Sequence, residues 1–397
     1  MTARIVHLTT VHRSDDVRIL RKECSSLLQS GYDVTLISPG QPVLEIERAG
    51  IRHYATGNVA HRGARMLKLQ YRTLKRALAL KADLYHFHDP ELIPAALILK
   101  LAGRRVIYDV HEDLPRQIQT KRWIPRILRG MIGRCAEFAE TIMARACNAV
   151  VAATPKIAKR FPAEKTFLVQ NFPIRGELVA TESLPYAQRP NRVAYVGGIT
   201  AMRGIGQVIA ALGLLSEELS ARVDLVGQFT PASLEEEMRR QPGWQRVDFA
   251  GWQPRERVAE ILAQARVGLV TFLPAPNHTE AQPNKLFEYM SAGIPVIASH
   301  FPLWREIVDS TGCGLVVDPE DPADIARAMT WVFDHPKEAE EMGTRGQAAI
   351  QNRFHWDHES TVLLRAYERC LGPLAVQELA ASVADLSASP EPLRRAA

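Results

Sequence analysis

The chain has 397 residues, of which 46% are apolar and 23% charged. These are ordinary globular proportions, enough for two or three domains of ~150 residues each, and they exclude a disordered chain, a collagen-like repeat and a small disulfide scaffold. The formal net charge of +5 conceals a division: residues 1–185 hold 29 Lys+Arg against 17 Asp+Glu, a balance of +12, whereas the remainder holds 20 against 27, a balance of −7. Such asymmetry points to an anionic partner for the first half.

In chain order, Arg4–Thr10 reads as a strand, and Asp16 to Ser30 has helical spacing (Val17, Leu20, Cys24, Leu27, Leu28) closed by Gly31. The N-terminus has no h-region and no small-residue cleavage site, so it reads as mature protein. Further strands are expected at Tyr32–Ser38, Arg52–Ala55, Leu84–His88, Val106–Val110, Ala149–Ala153 and Thr166–Val169, with helices at Ala64–Leu80 and Leu92–Leu101 among them. The apolar run Leu92–Leu99 is bounded by Glu91 and Lys100 and broken by Pro94, well short of the ~18 residues of a membrane span. Thr181–Asn191 has two prolines and no periodicity and reads as a linker.

The pattern then restarts. Strands are expected at Val193–Val196, Val223–Val226, Val247–Ala250, Val267–Phe272, Val296–Ser299 and Leu315–Val317. Helices are expected near Gly206–Leu215, at Ser233–Arg240, at Glu256–Ala265 and from Asn284. Pro231, Pro254 and Pro322 fall where first helical positions belong, and Asp321 reads as an N-cap. The expected fold is α/β: two consecutive Rossmann-like, doubly wound domains, residues 1–180 and 192–353, joined by a linker at 181–191 and facing a central cleft. A helix within 354–372 returns to the first domain, and the tail at 373–397, rich in Ala, Ser and Pro, reads as partly disordered. Five cysteines, an odd number with no C-x-x-C pair, read as small core residues in a reducing cytoplasm.

Two segments carry chemistry. The turn Gly197-Gly198-Ile199-Thr200-Ala201-Met202-Arg203-Gly204-Ile205-Gly206 leaves a strand and enters a helix. Glycines admit a ligand close to the backbone, the helix start favours anions, and Arg203 can contact a phosphate with both arms. A tight turn with an exposed arginine explains the same residues. The second segment is Glu280 to Ser299, E-A-Q-P-N-K-L-F-E-Y-M-S-A-G-I-P-V-I-A-S. A helix starting at Pro283 buries Leu286, Phe287 and Met290, and the carboxylates of Glu280 and Glu288 suit paired sugar hydroxyls because they are pure acceptors. Two solvated glutamates are the alternative.

Two glutamates with seven residues between them, followed by A-G-I-P-V-I-A, resemble the signature of retaining GT-B glycosyltransferases, in particular glycosyltransferase family 4, the bacterial group 1 enzymes. The resemblance covers nearly all of the chain through four segments in family order: Ser30–Ile37 (S-G-Y-D-V-T-L-I), Tyr108–Asp113 (Y-D-V-H-E-D), the Gly197 turn and the Glu280–Glu288 pair. It implies that the second domain holds a nucleotide-diphosphate sugar, UDP- or GDP-linked, as co-substrate, with no cofactor and no metal. Glu288 would hold ribose hydroxyls, and Glu280 and His111 would hold the donor sugar near the reacting carbon. Arg203 and Lys285 would clamp the diphosphate, beside Gly197, Gly198, Asn284 and Leu286.

There are departures from the family pattern. Gly197-Gly198 stands where many members have glycine-arginine, Ala281, Gln282 and Pro283 replace glycines after the first glutamate, and the first loop reads T-T-V-H-R-S-D-D-V-R. Pro283 has no N–H to offer a phosphate.

His86 and His88 alternate on one strand face and His111 follows another strand, but no metal-ligand spacing accompanies them, and the family resemblance implies metal-independent catalysis. His12, Asp16, Arg18 and His88 are the candidates for acceptor contact, with capping and solvation as the alternative for the loop His12–Arg18. Residues 61–81 and 116–134 carry seven and six basic residues with no acidic one, and the second stretch interleaves Trp123, Ile124, Ile127, Leu128, Met131 and Ile132. This suits an anionic membrane surface, with an ordinary solvated helix face as the alternative.

The function expected is retaining transfer of a sugar to a saccharide or lipid-linked acceptor in bacterial surface polysaccharide or glycolipid synthesis, at the cytoplasmic side of the membrane. A sugar-nucleotide 2-epimerase of the same fold is the alternative. A nucleic-acid binder is disfavoured because neither basic stretch carries a reader motif.

Overall fold

The computed structural model describes residues 2–59, 62–121, 124–180 and 184–372. Arg122, Trp123, residues 181–183 of the expected linker and the tail at 373–397 lie outside them, as do the side chains of Arg62 and Arg65.

The first sheet runs β1 (Arg4–Leu8), β2 (Asp33–Ser38), β3 (Arg52–Ala55), β4 (Leu84–Phe87), β5 (Arg105–Val110), β6 (Ala149–Ala152) and β7 (Thr166–Leu168). Its spatial order is β3-β2-β1-β4-β5-β6-β7, with every pair parallel. The second sheet is built from β8 (Arg192–Val196), β9 (Arg222–Val226), β10 (Val247–Gly251), β11 (Val267–Val270), β12 (Val296–Ser299) and β13 (Gly314–Val317), in the order β10-β9-β8-β11-β12-β13, also all parallel. Helices cover both faces, so the strands are continuous apolar runs such as Val193–Val196 and Val296–Ala298, buried throughout. Strand order reverses between β1 and β4 and between β8 and β11, and the loops leaving those strands form the crevice where this class binds ligands.

Three local departures from expectation shape the site. The expected strand Arg4–Thr10 stops at Leu8 because the Thr9 hydroxyl and the Thr10 N–H donate to Asp89 Oδ2 at 2.8 and 2.6 Å. The expected helix at Asp16–Ser30 begins as π-helical turns over Val17–Cys24, capped by Asp16, before Ser25–Gln29 becomes α-helical. The wide turns bring Arg18, Ile19, Lys22 and Glu23 inward together. Helices at Pro302–Thr311 and Pro336–Asn352, absent from the sequence reading, cover the second sheet, each with proline in its first turn. Pro322 is such a position, with Asp321 accepting from the Ala323 N–H at 2.9 Å, but Pro254 is itself an N-cap and Pro231 lies before its helix. Of the five cysteines, Cys135 is exposed rather than in the core.

The helix Trp356–Leu371 crosses back to the first sheet. The Trp356 indole N–H donates to Ser26 Oγ at 2.8 Å, and Leu363, Ala366 and Tyr367 pack into the core of Ile5, Val34 and Ile107.

Candidate functional site

On the second-domain side, β8 ends at a sharp turn. Gly197 has φ +112°, a conformation that L side chains rarely adopt, and a Cβ on Gly198 would stand 2.7 Å from the Arg203 guanidinium. Thr200 Oγ1 accepts from the Arg203 N–H at 3.2 Å, fixing the turn, and Arg203 Nη1 donates to the Gly198 carbonyl at 3.1 Å.

Lys285 rises from the first turn of the helix Asn284–Ser291 into the same space. It is only 5% exposed, its Nζ lies 3.6 Å from the centre of the Tyr195 ring, and that ammonium has no hydrogen-bond partner. Burial, then the adjacent Arg203, push its pKa well below the ordinary lysine value, against the pull of Glu288. A buried, unpartnered cation beside an arginine and a glycine turn is suited to an anion.

Glu288 lies in the second turn of this helix and accepts from Arg255 Nη1 at 2.6 Å, while Arg255 Nε reaches Glu177 at 3.1 Å. Burial opposes the Arg255 charge, but the two carboxylates hold its pKa above the usual value. Asn284 Oδ1 accepts from the Asn171 amide at 3.0 Å. The Leu286 side chain is fully buried core and its N–H bonds the Pro283 carbonyl at 3.1 Å, so neither is free for a donor.

Glu280 of the second domain is ion-paired across the cleft to Arg116 and Lys156 of the first. Arg116 also approaches Asp113 at 3.4 Å, which ties Glu280 to the loop that carries His111. His111 Nε2 lies 2.9 Å from Asp109 Oδ2 and 3.1 Å from His88 Nδ1, and its ring stacks on His12 at 5.1 Å. His12 is half-buried between Asp16 (3.2 Å) and Asp89 (3.4 Å). Burial works against its charge, but the hydrogen bond to Asp16 and the nearby Asp89 raise its pKa to about 9.

Arg18 and His88, expected to meet an acceptor, are instead buried. Arg18 forks onto Asp109 at 3.0 and 3.2 Å and donates to the Val169 carbonyl, while His88 sits between His7 (2.9 Å) and Asp109 (3.0 Å). Both hold the site from behind, and His12 and Asp16 remain half-exposed at its surface.

Two family models match the chain in succession: Glycosyltransferase Family 4 over residues 17–166 and Glycosyl transferases group 1 over residues 180–349. The chain belongs to the group 1, family 4 glycosyltransferases. D-rhamnosyltransferase WbpZ of Pseudomonas aeruginosa is 24% identical over 375 residues, which span 88% of this chain and 92% of that relative. Among solved structures, sucrose-phosphate synthase from Thermosynechococcus elongatus superposes with a TM-score of 0.73 at 17% identity, covering 93% of this chain and 99% of that one. Anabaena HepE in complex with UDP and glucose superposes with a TM-score of 0.72 at 15% identity, covering 92% and 99%. These neighbours share the two-domain GT-B fold.

Several site residues of this glycosyltransferase escape sequence reading. Arg255, Glu177, Asn171 and Lys156 come from four separate segments with no motif. Lys22 carried no signal either: at α-helical spacing it falls opposite the Val17–Leu28 apolar stripe, and only the π-helical turns bring it inward. It donates to Asn171 Oδ1 at 2.6 Å, and burial lowers its pKa to about 7.

Proposed function

We propose that this glycosyltransferase takes its sugar from a nucleotide-diphosphate donor and transfers it, with retention of anomeric configuration, to a saccharide or lipid-linked acceptor. The observation that carries the donor assignment is the buried Lys285 ammonium, unpartnered beside Arg203 and the Gly197 turn. The HepE structure solved with UDP and glucose supports the same reading, and the WbpZ name supports transfer of a deoxyhexose-type sugar by a relative of this length. In this reading Arg203 and Lys285 neutralise the diphosphate as it leaves, where fixed cations in a closed cleft stabilise developing charge most. Glu288 receives the ribose hydroxyls, and Glu280 and His111 orient the donor sugar rather than attack it.

The first domain holds the acceptor at a membrane surface. The helices Arg62–Leu80, Ile93–Leu101 and Arg126–Ala146 lie side by side and expose Leu67, Tyr71, Leu101, Ile127, Met131 and Phe138. Lys68, Lys75, Arg126 and Arg134 stand among them. Apolar side chains between cations suit an anionic bilayer and bring a lipid-linked acceptor to the cleft. No described helix is long and apolar enough to cross a membrane. WaaG, a structural neighbour with a TM-score of 0.67, is described as a glycosyltransferase of lipopolysaccharide biosynthesis, which supports a surface-glycan role.

Titration calorimetry with UDP and GDP tests the donor reading. One of them binds the wild type and not Lys285→Met; no binding of any nucleoside diphosphate refutes it. The anomeric coupling constant of the product reports retention.

A further inference from the structure

A second constellation lies behind the cleft, in the first domain, and meets the wall of the transfer site only at His88. His7 on β1 and His86 on β4 are register partners on adjacent strands, and His88 follows two residues after His86 on the same face. Glu23 enters from the π-helical turns above them. One ligand atom from each of these four residues falls within 4.8 Å of the others, and all four side chains are buried.

Glu23 Oε2 stands 4.0 Å from His7 Nδ1, 3.8 Å from His86 Nδ1 and 3.9 Å from His88 Nδ1, yet it accepts no hydrogen bond. His86 Nε2 is likewise without a partner. Buried polar atoms are nearly always satisfied, so two such orphans in one pocket indicate a missing ligand. The local charge agrees. Glu23 and Asp109 bring two carboxylates and Arg18 one cation, 3.0 Å from each. Two carboxylates therefore share one guanidinium, a pairing that a bound cation would complete.

We propose that His7, His86, His88 and Glu23 form a structural site for one divalent transition-metal ion of the zinc class. Three imidazoles and a carboxylate match that ion's ligand preferences, and bonds of about 2.0–2.1 Å need only a modest contraction of the present cage. The outer shell is in place. His88 turns its Nδ1 to Asp109 at 3.0 Å, leaving Nε2 toward His7 Nδ1 at 2.9 Å, and His7 Nε2 meets the Tyr367 hydroxyl at 3.1 Å. Ligating histidines are commonly oriented in this way. The site is distinct from the sugar-transfer centre: it braces β1, β4 and the returning helix, and it touches His111 only through His88 and Asp109.

Full-length protein, purified through an affinity tag without histidines from zinc-supplemented cells, tests this by elemental analysis and thermal melting. The expected result is about one zinc per chain in the wild type and in Cys135→Ser, less than a tenth of that in His86→Ala and Glu23→Gln, and a lower Tm after prolonged chelation. Should those variants fail to fold, wild type refolded with cobalt shows the visible bands of tetrahedral nitrogen and oxygen ligation. A wild type that is folded but free of zinc, manganese and iron, and gains no Tm when refolded with zinc, overturns the proposal. Bound metal that survives both substitutions also overturns it.

Discussion

Arg255 holds Glu288 by a hydrogen bond of 2.6 Å while its other edge grips Glu177 at 3.1 Å, so the carboxylate assigned to the ribose is aimed by a partner from a different helix. Arg255→Ala leaves Glu288 without this partner and Glu177 with only the longer contact to Arg21 at 3.4 Å. The expected cost is about 1–3 kcal/mol of stability and at least a tenfold weaker nucleotide affinity, read by thermal melting and calorimetry. Arg255→Lys, which keeps the charge but loses the fork, falls between.

Lys285 predicts opposite effects on stability and function. Its ammonium is buried without a hydrogen-bond partner in the ligand-free protein, a cost of about 1–3 kcal/mol that its contact with the Tyr195 ring offsets only in part. Lys285→Met removes that cost, so the ligand-free variant melts several degrees higher, at about 2–4 °C per kcal/mol for a domain of this size. The same change lowers kcat/KM by about 10²–10³ if the cation stabilises the leaving diphosphate. A Tm that falls together with activity contradicts this account.

Glu280 is held from the opposite domain by Arg116 and Lys156, and these groups are partly exposed. Exposed ion pairs contribute little to stability. Arg116→Ala therefore changes the unfolding free energy by no more than about 0.5 kcal/mol, read from thermal melting. It lowers kcat by up to about tenfold because Glu280 keeps only Lys156 as its anchor across the cleft.

The pH dependence at the cleft mouth follows from His12. Asp16 and Asp89 raise its folded-state pKa to about 9, above the unfolded value of 6.5. The stabilisation is therefore complete below pH 6.5 and disappears as pH rises through about 9. In melting curves the wild type exceeds His12→Gln at pH 6, and the gap closes by about pH 9.5. A constant gap shows that the pair contributes no charge-dependent stability.

Ile127→Glu and Phe138→Glu place charge on the exposed face of the helix Arg126–Ala146. Both variants keep the wild-type Tm and lose most binding to vesicles containing anionic lipid in a flotation assay. Neutral vesicles bind none of the three proteins strongly, since cationic attraction contributes about 1 kcal/mol per basic residue near the surface.

The α/β class was legible because parallel strands covered on both faces must be short apolar runs, and Val193–Val196 or Val106–Val110 can hardly be anything else. Element ends were less legible. Whether Thr9 and Thr10 extend β1 depends on Asp89, 80 residues away, whose carboxylate withdraws them from the sheet. On the donor side, Arg203, Lys285 and Glu288 could be read because they share two short motifs. Arg255 and Lys156 could not, since they meet those motifs only through tertiary folding. The histidines show the same limit: His86 and His88 have no ligand spacing along the chain, and their company with His7 and Glu23 arises from strand register and a widened helix. Arg18 looked like a loop residue facing the acceptor because nothing local announces its buried partner Asp109.

The Tyr367 hydroxyl, 2.7 Å from His86 and 3.1 Å from His7, also sets an order of events in synthesis. The first domain emerges from the ribosome long before its last layer, the helix Trp356–Leu371, exists. Its histidine-lined floor stays open until the second domain has been made, and only then does the chain's own distal segment close it. The two halves are thus joined kinetically as well as by the linker, and deleting residues 356–372 would release an unfinished first domain rather than a shorter enzyme.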